Sequence, residues 1–176
     1  MPSSAIENVP PIANEIHRLQ PKSIVDLGIG FGLYGAVTRQ ILDGIWGRCR
    51  SEQWQANIIG VEIWEAYRNP CWQTYNAVSI GDYRTFPVRG WDLVLMIDSL
   101  EHLEPEEGRC FLAGLVERNK HIIVSVPNGP MPQADPVYGN AYERHLTTFY
   151  GREFDAHKHT VLHRGLCLVV SITGRG

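Results

Sequence analysis

The chain has 176 residues, 44% hydrophobic and 20% charged, which suits one globular domain large enough to bury a proper core. A net charge of −3 without a Lys/Arg cluster argues against a nucleic-acid footprint and leaves small acidic or neutral partners open. No run approaches the ~18 apolar residues of a membrane span, and MPSSAIENVPP lacks the apolar core of a signal peptide, so a soluble cytoplasmic protein is expected.

Residues 11–20 predict a short helix, with Ile12, Ile16 and Leu19 on one stripe and Pro21 ending it. SIVDLG then reads as a buried strand, Gly32 to Leu42 as a helix, and the polar stretch 43–57 as a loop. IIGVE at 58–62 is a second buried strand that ends, like the first, at an acid. Residues 64–77 predict a helix interrupted at Pro70, followed by a short strand around Val78–Ile80. WDLVLMI at 91–97 is a strand. Helix 105–118 starts at Pro105 with Glu106 and Glu107 at its positive end. HIIVSV at 121–126 is a further buried strand, and a helix is expected near 151–157. Gly165 divides two apolar runs, 159–163 and 166–172, into a hairpin.

Strands that are nearly all apolar, alternating with helices, imply a parallel sheet covered on both faces, finished by an antiparallel hairpin strand. The whole of 1–176 is expected to be a single domain. Within it, residues 1–20 would be an N-terminal helix or lid. The long irregular segment 130–145, rich in proline and polar groups, would be a mobile substrate-side loop. Cys49, Cys71, Cys110 and Cys167 share no metal or redox spacing, which predicts buried or half-buried free thiols.

The strongest local signal is Asp26-Leu-Gly28-Ile-Gly30-Phe-Gly32-Leu-Tyr-Gly35, joining a strand to a helix. Glycines there permit a tight turn and close approach of a ligand, and part of the run satisfies the dinucleotide pattern G-x-G-x-x-G. Two acids narrow the reading. Glu62 ends the second strand, where a carboxylate can accept both hydroxyls of a ribose, but it lies farther on than the ~20 residues a dinucleotide site expects. Asp26 would repel a pyrophosphate and attract an ammonium group. Adenosine joined to an amino acid offers both features.

These segments in order resemble the motifs of class I S-adenosylmethionine-dependent methyltransferases. VDLGIGFGLYG is similar to their first motif, GVE to the second, GDYRTFP to the third, WDLVLMIDSLEHLEP to the fourth and IIVSVPNG to the fifth strand. RHLTTFYGREF resembles a stretch of the branch that includes ubiquinone-biosynthesis methyltransferases. The likeness spans about residues 21–172. It implies a Rossmann-like doubly wound α/β fold and S-adenosyl-L-methionine as cofactor. Asp26 would sit near the methionine ammonium, with Gly28, Gly30 and Gly32 along the methionine. Glu62 would hold the ribose, Ile63 would flank the adenine, Asp82 would reach its amino group with Tyr83 beside the ring, and Asp98 would lie near the amino-acid part. Ile29 departs from the usual cysteine or alanine.

A hydroxyl or amine acceptor must also lose a proton, and position in the chain makes His102 and His145 the candidate bases. Asp98, Glu101, His102, Glu143 and His145 are acceptable metal-ligand types, but spacing does not fix their geometry and no metal is assigned. Tyr34, Tyr138 and Tyr142 are candidate pocket residues. A small-molecule acceptor is expected, since no N/D-P-P-Y/F motif follows the fourth strand; the atom methylated and the oligomeric state stay open. Two alternatives stand beside this reading. A nicotinamide oxidoreductase would bring Y-x-x-x-K machinery, which is missing, and Asp26 opposes it. A non-catalytic relative would have no use for the motif acids. Replacing Glu62 is expected to weaken cofactor binding and leave the fold intact.

Overall fold

The computed structural model describes residues 3–176. Seven strands form one sheet: β1 (Ser23–Leu27), β2 (Asn57–Glu62), β3 (Ala77–Ile80), β4 (Leu93–Ile97), β5 (His121–Pro127), β6 (His159–Arg164) and β7 (Cys167–Thr173). Their order across the sheet is β3-β2-β1-β4-β5-β7-β6. The first five run parallel, and β7 pairs antiparallel to both β5 and β6. The sheet is therefore doubly wound with an antiparallel C-terminal hairpin. The chain reverses direction across the sheet between β1 and β4, and the crevice beyond such a switch point is where ligands bind in open α/β sheets.

Strand alternation sorts the core into two layers. Ile24, Leu93, Leu95, Ile97, Ile123 and Val169 face α1 (Val9–Leu19) and α2 (Leu33–Leu42). Val25, Leu27, Val94, Met96, Val124 and Val170 face α3 (Pro105–Arg118) together with Phe149 and Phe154. Burial on both faces explains why these strands are apolar without interruption. α1 ends in a left-handed Gln20 before Pro21, and α3 has the predicted bounds, with Pro105 in its first turn. Among the described residues no helix is long and apolar enough to cross a membrane.

Two predicted helices are absent. Residues 64–77 fold as two 3-10 turns, Glu65–Tyr67 and Pro70–Thr74. Asn69 is extended, as expected before a proline, and its side chain accepts from the Cys71 amide, so a new turn starts where a helix would have continued. Trp72 and Tyr75 are then buried between α2 and the sheet. Near 151–157 only a 3-10 turn forms at Gly151–Phe154, because Phe154 alone offers the core an apolar group there. The loop 43–57 contains two 3-10 turns held around the fully buried Asp43, which accepts from Arg39, Arg48 and the Gln55 amide. All four cysteines are free thiols, but only Cys167 is buried; Cys49, Cys71 and Cys110 are exposed.

Candidate active site

A cavity of about 340 Å³ opens beyond the carboxyl ends of β1, β2 and β4, within the ~300–1,000 Å³ range of small-molecule sites. Asp26, Gly28, Gly30, Glu62, Ile63, Asp82, Tyr83, Asp98 and His102 all line it. Gly32 is not in the wall. It is the left-handed residue (φ 84°) that starts α2. His145 is also outside the wall and stands behind His102, with ring centroids 5.2 Å apart.

The glycine loop is shaped by its own protein acceptors. The Gly28 and Ile29 amides donate to the Val61 carbonyl, the Gly32 amide to the Ile29 carbonyl, and the Gly30 amide to Glu62 Oε2 at 2.8 Å. Those amides are the groups a pyrophosphate would otherwise recruit. Gly28 has φ 77°, and a Cβ there would lie 2.6 Å from Ser99 Oγ, so backbone conformation and close approach of the two strand ends both require glycine.

Each acid is fixed differently. Glu62 is buried and accepts from Gly30 at 2.8 Å through Oε2 and from the Trp64 amide at 2.8 Å through Oε1. It thus ties β2 to the glycine loop, and the expectation that it can be removed without cost to the fold is corrected: its loss would strand two amides. Each carboxylate oxygen retains a lone pair for a ligand hydroxyl. Burial raises the Glu62 pKa, opposed by these two amides. Asp26, 3% exposed, accepts from the Tyr75 hydroxyl at 2.7 Å. Burial pushes its carboxyl up to about 7, with the Tyr75 bond acting against the shift and the charge of Glu62 adding to it. Asp82 is chelated by the Arg84 amide and guanidinium, and Arg84 also reaches Glu107 at 2.8 Å. Asp98 has a left-handed backbone (φ 48°) and accepts from Ser125 Oγ. Tyr83 donates to the Ser99 carbonyl and packs on Phe111.

The rim comes from the N-terminal segment and the loop after β5. Ser3 and Ser4 line the cavity, with Ser4 Oγ accepting from Tyr34 and Asn8, while Asn8 also donates to Ser125. Residues 140–144 also line the cavity. Asn140 and Glu143 are buried there and joined through the Tyr67 hydroxyl, at 3.1 and 3.0 Å. In this structure, two of the polar groups of the predicted substrate-side loop, Asn140 and Glu143, thus bond to the Tyr67 hydroxyl. Of the candidate tyrosines, Tyr34 and Tyr142 line the cavity and Tyr138 stands 75% exposed outside it.

Of the five residues considered for a metal, Glu101, His102 and His145 come together, one ligand atom of each lying within 4.8 Å of the others. Burial and the nearby Asp98 raise the Glu101 pKa well above its ordinary value, and burial lowers that of His102. Sequence reading missed Tyr75, Trp72, Ser99 and Ser125. They are uncharged residues far along the chain from the acids and loops they hold, and only the packing of 64–77 and of the strand ends reveals them.

No family model and no curated protein matches the sequence. Solved structures share the fold over nearly the whole chain. The methyltransferase domain of bacterial CtHen1 aligns with a TM-score of 0.60 at 16% identity, covering 94% of this chain and 97% of that one. Magnesium protoporphyrin IX methyltransferase (ChlM) from Synechocystis PCC 6803, with bound SAH, aligns at 0.66 and 13%, covering 96% and 82%. The N-terminal domain of EvdMO1 with SAH bound aligns at 0.62 and 16%, covering 93% and 80%. The chain thus has the Rossmann-like fold of class I methyltransferases.

Proposed function

We propose that this protein is an S-adenosylmethionine-dependent methyltransferase of the cytoplasm acting on a small-molecule acceptor. The observation that carries this reading is the balance of charge around the cavity: Asp26, Glu62, Asp82, Asp98, Glu104, Glu107 and Glu143 line it against Arg84 and Arg144, while the Gly28, Ile29, Gly30 and Gly32 amides of the loop already donate to protein oxygens. Such a wall opposes a nicotinamide dinucleotide and suits a ligand with an ammonium and a sulfonium. The cofactor, when bound, supplies an electrophilic methyl group. The chain's residues bind and orient it: Glu62 takes the ribose hydroxyls, Asp26 and Asp98 face the amino-acid part, and Ile63, Asp82 and Tyr83 enclose the adenine. Gly28 and Gly30 let the backbone approach the methionine.

Transfer is a direct displacement, so alignment of acceptor, methyl and sulfur supplies most of the rate. His102 and His145 stand on the acceptor side, where the 140–144 rim shields the cavity from water. Calorimetry with S-adenosylhomocysteine and NAD tests the reading. Micromolar binding of the former with no heat from NAD is the expected result; NAD binding alone would replace the reading with an oxidoreductase.

A further inference from the structure

We propose that Glu101, His102 and His145 form a binding site for a first-row divalent metal ion at the acceptor end of the cavity. The three ligand atoms lie within 4.8 Å of one another. Metal–ligand bonds of about 2.0–2.2 Å place neighbouring ligands roughly 3–3.5 Å apart, so small side-chain rotations close the set.

Two independent features point to a cation. The first is Glu101 itself. It is 1% exposed, and among the described residues its Oε2 has no hydrogen-bond partner. A buried carboxylate oxygen without a donor is costly, and a metal ion would satisfy it. The second is the way both imidazoles are held. His102 Nδ1 faces the Arg144 carbonyl at 2.8 Å, and His145 Nδ1 faces the Met131 carbonyl at 2.6 Å. A ring nitrogen facing a carbonyl must carry the proton, which leaves each Nε2 with its lone pair in the neutral ring. Fixing the tautomer through a carbonyl on the far nitrogen is the usual outer support of metal-bound histidines.

The site is also braced by backbone. The Leu146 and Thr147 amides donate to the Glu101 carbonyl, and Thr147 Oγ1 donates to the Leu103 carbonyl at 2.6 Å. Thus the 3-10 turn after β4 and the end of the loop after β5 are locked together at the point where their side chains converge.

Two imidazoles and one carboxylate are the donor set of open zinc sites, and suit Mn2+ and Co2+ as well. Three protein ligands leave coordination positions free, and His102 lies in the cavity wall, so an oxygen of the acceptor can occupy one. Coordination would take the Nε2 lone pairs, making the two histidines ligands and not proton acceptors. This site goes beyond the methyl-transfer reading, since metal binding does not require the cofactor.

The test uses the whole chain, stripped with a chelator and titrated with Co2+ and Zn2+ by absorption and calorimetry. One equivalent is expected to bind, with d–d bands of cobalt held by nitrogen and oxygen and a rise in melting temperature. Glu101→Gln, which removes only the buried charge, and His145→Ala should each weaken binding at least tenfold while the proteins remain folded by circular dichroism. Failure of the wild-type chain to bind, or undiminished binding by both variants, overturns the site. S-adenosylhomocysteine binding, measured on the same samples, fails or succeeds separately.

Discussion

Asp26 couples the cavity to pH. Its carboxyl is raised from an ordinary 3.8 to about 7 by burial, with Tyr75 and Glu62 the titratable groups whose bond and charge modify the shift. A ligand ammonium favours the ionised form, so below pH 7 binding must first expel a proton. Affinity for S-adenosylhomocysteine should therefore rise with pH, by up to about tenfold per unit between roughly pH 5 and 7, and then level off. For the ligand-free protein the sign is opposite. A carboxyl raised on folding leaves stability intact below about pH 4 and erodes it as pH climbs through about 7. Asp26→Asn should give a flat, weak binding profile and, at pH 8, a higher melting temperature than wild type. A wild-type profile that is itself flat would show that Asp26 does not meet the ammonium. The position of this acid at a strand end was legible in the sequence. Its burial and its bond to Tyr75 were not, because nothing local says which aromatic 49 residues away will reach it.

At the scale of elements, the segment after β2 matters more than its sequence suggests. Its apolar spacing suits a helix, yet Pro70 and the Asn69 cap divide it, and the two turns deliver Trp72 and Tyr75 to the glycine loop: Trp72 Nε1 donates to the Gly30 carbonyl at 2.9 Å, and Tyr75 accepts from the Gly35 amide at 3.0 Å. Propensity failed here because tertiary bonds to the loop outweigh a marginal helix. A reversal of an ordinary rule follows. Gly35 lies inside α2, where alanine normally stabilises by about 1 kcal/mol. A Cβ at this position would stand 2.1 Å from Tyr75 Cζ. Gly35→Ala should instead destabilise by about 1–3 kcal/mol through overpacking, read from urea unfolding. An unchanged or raised midpoint would mean that Tyr75 yields easily. The inner strands β5 and β7 and helix α3, by contrast, were legible nearly to the residue, since burial on both faces writes itself as an unbroken apolar run and Pro105 marks the start of a helix.

Over the whole molecule, the parallel sheet with its antiparallel hairpin and the acids near its strand ends could be read, because unbroken apolar runs alternate with helical stripes and charge is placed beside glycine; the order of the strands could not. The rim could not, since it depends on which polar groups of 130–145 turn inward; Asn140 and Glu143 do, while Tyr138 does not. One further consequence belongs to the birth of the protein. β7 follows the other six strands of this sheet in the chain, yet it lies inside the sheet, between β5 and β6. Its neighbours include the first helix, through the hydrogen bond from Ser171 Oγ to Glu15 Oε1, and Glu7 accepts from the Leu166 amide in the closing hairpin. A chain still emerging from the ribosome therefore presents β5 with an unpaired edge, and β6 has no partner until residues 167–173 are free to slot between them. The sheet cannot close until residue 173 has left the ribosome. Nascent chains arrested before residue 167 should remain open to protease, and those released past residue 173 should become resistant in a single step.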